Sequence, residues 1–203
     1  TADAFYHDMG LSNKLYSNPF NCTSKQLECT KAISGNSEEY DDLEVSSDQL
    51  DLVTFYSSQL GVPARRSINA ENVKKGKEIF FALNCNSCHV ESFTTGDSGS
   101  HANLKNQIIY PYSDFLLHDM GESLSDGVSE FLAQGSEWRT PPLWGIGLTS
   151  IVSDEYGYLH DGRARTIEEA ILWHGGEANE IIQNYKKLKK YEVNQLLSFI
   201  NSL

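Results

Sequence analysis

The sequence predicts a mainly α protein with long irregular loops and a loop-rich N-terminal lobe. Three observations carry that expectation. Apolar residues recur at helical spacing in several segments beyond residue 45, and capping boxes, Ser46-x-x-Gln49 and Thr166-x-x-Glu169, open two of them. β-like character is confined to two short runs near 108–112. Turn residues dominate the first 45 positions, in "SNPFN" and "ISGNSEEYDD", and no sustained period appears there. The chain therefore divides, as read from sequence, into a lobe at 1–45 and a helical domain at 46–203.

Each element has its own signal. After Ser46, residues Leu50, Val53, Ser57 and Leu60 fall at helical spacing, and Gly61 and Pro63 end the segment. A second helix spans 71–83, with Val73, Gly76, Ile79, Phe80 and Leu83 on one face. Glycine inside a helix costs up to about 1 kcal/mol relative to alanine, so Gly76 marks a close approach by another helix. The stretch 91–107 is irregular, and "WRTPPLWGIG" at 138–147 is too rich in Pro and Gly for a regular element. Thr166 then caps a helix whose stripe is Ile167, Ala170, Ile171 and His174, stopped by Gly175-Gly176. Two further helices are expected near 180–188 and 192–203.

Composition narrows the function. The 203 residues are 39% hydrophobic and 22% charged, ordinary for a soluble globular chain. A net charge of −12 argues against nucleic acid as a partner, because phosphate binding needs clustered Lys and Arg. No apolar run approaches the roughly 20 residues of a membrane helix. The opening "TADAFYHDMG" has neither the basic start nor the apolar core of a signal peptide, which fits a mature exported chain or a piece of something longer.

The four cysteines form two local pairs. Cys22 and Cys29 lie seven apart in a polar loop without a neighbouring His, so a disulfide is expected there, and with it an oxidising compartment such as the periplasm. Cys85, Cys88 and His89 form a C-x-x-C-H run. A thioredoxin-like site would follow a strand and open a helix, whereas this pair ends one. Zinc would need two further ligands at short spacing. C-x-x-C-H is the attachment pattern of haem c, with both thiols bonded to the ring and the His beneath the iron. One covalent haem c is therefore expected, on Cys85 and Cys88 with His89 as proximal ligand. A large apolar cofactor also accounts for ordered chain with little regular structure.

The iron's other face has several candidate ligands: Met9, Met120, His7, His101, His118, His160 and His174. His101 sits in a Gly- and Ser-rich loop suited to solvent. His174 lies on the apolar stripe of a capped helix, where an imidazole needs a partner, and Met120 in "LLHDMGE" would make a His/Met site.

The segments "GKEIFFALNCNSCH", "YSDFLLHDMG", "EWRTPPLWGIG" and "YLHDGRARTIEEAILWHGGEA" resemble the second half of the bacterial di-haem cytochrome c peroxidase superfamily. The similarity is greatest to its branch of di-haem, thiol-oxidoreductase-like proteins. The resemblance spans nearly the whole chain. It implies a cytochrome c-like domain whose haem transfers electrons, next to another haem domain that performs the chemistry. In the resembled peroxidases the distal ligand, usually Met, lies 14 residues after the His of a Y-x-H-x-G motif. "YLHDG" places that His at His160, and 14 further on stands His174. The resemblance thus implies His174 as distal ligand, with Met120 as the alternative, and bis-His ligation lowers the potential relative to His/Met. Arg139 in "WRTPP" and Arg163 or Arg165 in "HDGRAR" are candidate partners of the haem propionates, since guanidinium suits carboxylates. The expected partner is a redox protein or an adjacent haem domain. The competing expectation is a peroxidase-type catalyst with a labile distal site, which requires a vacant coordination position.

Overall fold

Helices follow the apolar stripes of the sequence, with side-chain caps at Ser46 and Thr166, and short strands and turns connect them. The computed structural model describes residues 1–20, 22–98, 101–130, 132–154 and 156–203. Residues 99 and 100 of the irregular stretch before His101 lie outside the described residues. The chain forms two compact units, Thr1–Gly61 and Val62–Leu203.

The first unit contains a π-helical turn at Ala4–Asp8, then α1 (Leu27–Thr30), a 3₁₀ turn at Glu38–Tyr40 and α2 (Ser47–Gln59). Polar residues tie its loops together. The Ser12 hydroxyl donates to Asn36 Oδ1 (2.7 Å) and accepts from the Glu44 N–H (2.9 Å), while Asn13 Nδ2 donates to the Ala2 carbonyl (3.1 Å). Both side chains are fully buried, so the bonds replace the water they have lost. Cys22 and Cys29 stand as a disulfide pair with Cα atoms 6.2 Å apart. The Ser46 hydroxyl accepts from the Gln49 N–H, and the Gln49 side chain returns the bond to Ser46, completing the expected capping box of α2. The boundary expected after residue 45 falls after Gly61 instead. The physical reason is Leu50, which packs with Ala2 and Val45 and draws α2 into the lobe.

The second unit is built on α3 (Glu71–Ala82), followed by β1 (Phe93–Thr94), β2 (Ile108–Ile109), β3 (Leu117–Asp119) and β4 (Glu137–Arg139). The helices α4 (Thr149–Val152), α5 (Ile167–Trp173), α6 (Asn179–Tyr185) and α7 (Lys190–Ser202) complete it. The strands make two small antiparallel pairs, β1 with β2 in the register Phe93↔Ile109, and β3 with β4 in the register His118↔Trp138. Trp138 and Arg139 are thus in a strand, which corrects the expectation that the whole of 138–147 is irregular. The strand stops before Pro141, whose missing N–H cannot extend a ladder.

Helices α3 and α7 pack closely at Gly76. A Cβ there would lie 2.0 Å from the Gln195 carbonyl oxygen and 2.7 Å from Phe199 Cβ, so only glycine lets the helices meet. Phe80, Phe199 and Tyr112 form the adjoining aromatic core, with Phe80–Phe199 centroids 5.3 Å apart at 63° and Phe80–Tyr112 centroids 6.0 Å apart at 84°. Such edge-to-face pairs each add about 0.5–1.5 kcal/mol beyond burial. The Thr166 hydroxyl caps α5 by accepting from the Glu169 N–H (3.0 Å). The Glu169 carboxylate does not close the box. It holds the Arg165 N–H and guanidinium instead. Among the described residues no helix is long and apolar enough to cross a membrane.

Candidate functional site

The second unit encloses a cavity of about 410 Å³, within the range of cofactor sites. Phe80, Leu83, Leu143, Ile171, Leu196 and Ile200 give it apolar walls, and Cys85, Cys88, His89, Met120 and His174 also line it. The cysteine motif reaches the wall because α3 ends at Ala82, capped by Leu83, and Asn84 turns the chain through a left-handed conformation (φ 66°). Cys85 then begins a 3₁₀ turn that presents both thiols and the imidazole together. Burial pushes the Cys85 thiol up to about 12 and raises Cys88 as well. A redox dithiol needs the opposite shift, so disulfide chemistry does not suit this pair.

The two imidazoles are held alike. His89 Nδ1 donates to the Tyr112 carbonyl (3.0 Å), and His174 Nδ1 donates to the Ala170 carbonyl (2.7 Å). A carbonyl only accepts, so each ring carries its proton on Nδ1 and keeps a lone pair on Nε2. Burial pushes His89 down to about 4 and lowers His174, which keeps both neutral and fit to bind a metal. Their ring centroids are 6.4 Å apart. Metal–imidazole bonds run about 2.0–2.1 Å, so two imidazoles on opposite sides of one ion have centroids about 6.3 Å apart. The separation of the two imidazoles fits a metal held between them, and the Cys85 and Cys88 side chains line the same cavity. His174, expected on the helical stripe, instead caps α5 one residue past Trp173, with its own ψ at 131°.

The other candidates separate clearly. His118 lines the cavity, but its Nδ1 donates to Glu177 (2.9 Å) and its Nε2 to Asp114 (2.8 Å). Hydrogen bonds to the Glu177 and Asp114 carboxylates raise its pKa, and both ring nitrogens are already engaged. Cys88, Asp114 and His118 come within 4.8 Å of one another, and the same engagement argues against a cation there. His160 lies flat on Trp138, centroids 3.6 Å apart at 3°, and its Nε2 shares the Leu124 carbonyl with Trp138 Nε1 (3.0 and 2.9 Å). His101 is not part of the cavity wall, and His7 and Met9 belong to the other unit. Of the two arginines expected at the propionates, Arg139 reaches the wall at the end of β4. Arg163 does not: it pairs with Asp161 (2.6 Å) and the Ser123 carbonyl (2.6 Å) and covers the Trp173 ring at 5.0 Å. Sequence reasoning missed the Tyr112 and Leu124 carbonyls, since any residue type can supply a backbone acceptor.

Cavity, thiols and paired imidazoles define a haem-binding redox protein. The family described as "Di-haem oxidoreductase, putative peroxidase" matches residues 2–203, and the chain belongs to that family. Membership carries haem binding and a haem-based redox role. No curated protein and no solved structure is similar enough to match.

Proposed function

We propose that the chain is a cytochrome c-like electron-transfer unit holding one haem c, bonded through Cys85 and Cys88 and ligated by His89 and His174. The observation that carries this is the pair of neutral imidazoles with centroids 6.4 Å apart, each tethered through Nδ1, in one cavity with the C-x-x-C thiols. The cofactor supplies reversible one-electron exchange. The protein supplies the rest. Tyr112 and Ala170 hold the Nδ1 protons and orient the rings, while the apolar wall excludes water and keeps reorganisation small. Arg139, on the cavity wall, would offer a cation to a haem propionate.

A bis-His site has no vacant position for peroxide, which favours electron transfer over the peroxidase-type reading. The family is di-haem and this sequence contains one C-x-x-C-H, so the partner is a second haem domain or a separate redox protein. Covalent haem and the Cys22–Cys29 disulfide both suit an oxidising compartment, and the proposed location is periplasmic or otherwise exported. The test is the optical and EPR spectrum of purified protein after acid–acetone extraction of free haem. A low-spin ferric spectrum without the methionine charge-transfer band, from haem that stays with the denatured chain, is expected. Extractable haem, or a high-spin ferric signal, overturns the proposal.

A further inference from the structure

We infer that the Tyr112 side chain, acting through Glu91, is a positioning device that fixes the His89 ring and tunes the iron's proximal bond. This rests on the reading of His89 as ligand. Tyr112 is fully buried, yet its backbone takes φ 51°, a left-handed conformation that an aromatic residue avoids. Packing between Phe80 and Phe199 needs only its ring, and phenylalanine would serve as well. The hydroxyl and the strained backbone need another explanation.

The hydrogen bonds supply it. Residues 88 to 91 are each bonded to the segment 112–114: the Asp114 N–H donates to the Cys88 carbonyl (2.8 Å), His89 Nδ1 to the Tyr112 carbonyl (3.0 Å), the Ser113 N–H to the Val90 carbonyl (2.9 Å), and the Tyr112 hydroxyl to Glu91 Oε1 (3.0 Å). Tyr112 thus grips this segment twice, by its carbonyl at His89 and its hydroxyl at Glu91. Lys77 of α3 holds the same Glu91 oxygen at 2.5 Å, which ties the grip to the helix that leads into the cysteine motif. The Tyr112 carbonyl meets His89 from this positive-φ backbone, and the hydroxyl tether opposes relaxation of that strain. A firm acceptor at Nδ1 makes Nε2 a stronger donor to iron, which favours the ferric state and lowers the reduction potential.

The test uses the intact haem-loaded protein and compares Tyr112→Phe, Glu91→Ala, Glu91→Gln and the double variant Tyr112→Phe/Glu91→Ala. The readouts are midpoint potential and the low-spin EPR g-values. Tyr112→Phe and Glu91→Ala should raise the potential and shift the g-values by similar amounts, and the double variant should add nothing further. Glu91→Gln keeps an acceptor oxygen and should return close to wild type. Variants that lose thermal stability while potential and g-values stay at wild type overturn the inference, as do additive shifts. If Tyr112→Phe fails to assemble, the partly exposed Glu91 pair of variants decides it alone. A wild-type spectrum lacking bis-imidazole character would instead remove the reading of His89 and His174 as ligands.

Discussion

The two imidazoles of the cavity differ in how the chain mounts them. His89 is oriented by a carbonyl 23 residues away, in a segment joined to its own by four hydrogen bonds. His174 is oriented by Ala170, four residues back in the seven-residue helix α5. The first mounting is tertiary, and the second is the end of a short helix, marginal without its neighbours. Ring orientation at His89 therefore survives as long as the domain does. The His174 side is where local change alters the site.

Removing the His174 ring gives the largest expected effect. His174→Ala should convert the ferric haem from low-spin to high-spin, and Met120→Ala should leave it low-spin, read by optical spectroscopy. The reverse pattern would make the site His/Met and end the comparison. A test of the tertiary mounting comes next. Gly76→Ala drives a methyl into the Gln195 carbonyl and should destabilise the second unit by about 2–3 kcal/mol in denaturant melts, through overpacking. No loss would mean that the α3–α7 contact does not support the His89 side.

The smallest expected effect is a pH dependence on the His174 side. Glu177 and Asp114 raise His118 above its ordinary 6.5. A raised folded value means that this stabilisation is fully present below 6.5 and fades as pH rises through the folded value. Glu177 follows His174 closely and also accepts from the Asp119 N–H (3.0 Å), so the His174 side shares this loss with the segment of Asp114. The melting temperature of wild type should thus decline above pH 6.5 more than that of His118→Gln. Parallel curves would show that the triad is passive.

How much of this was legible depends on whether the signal was local. The C-x-x-C-H run, the Ser46 box and the Gly76 approach rest on residue identity over a few positions, and the structure places the helices accordingly. His174 was legible as a position but not as a cap, because one residue at a helix end lies below the resolution of periodicity. Leu50 joins α2 to the lobe by contacts with Ala2 and Val45 that no window of sequence contains. Arg163 carried the right chemistry but found a nearer carboxylate in Asp161. The acceptor carbonyls of Tyr112 and Leu124 had no residue-type signature at all.

Three glycines near the cavity carry one more consequence. A Cβ on Gly176 would lie 2.1 Å from the Asp119 carbonyl oxygen and 2.6 Å from the Gly121 nitrogen, and one on Gly175 would lie 2.9 Å from the Met120 carbonyl oxygen. The backbone after His174 and the backbone around Met120 therefore interlock with no side chain between them. Thioether and imidazole ride on a single mechanical piece, and neither loop can swing without carrying the other. Under the proposed ligation, exchange of His174 for Met120 would require both backbones to move together. If His174 is the ligand, the vacancy left by His174→Ala should stay open, because Met120 can enter it only by moving the backbone that follows His174.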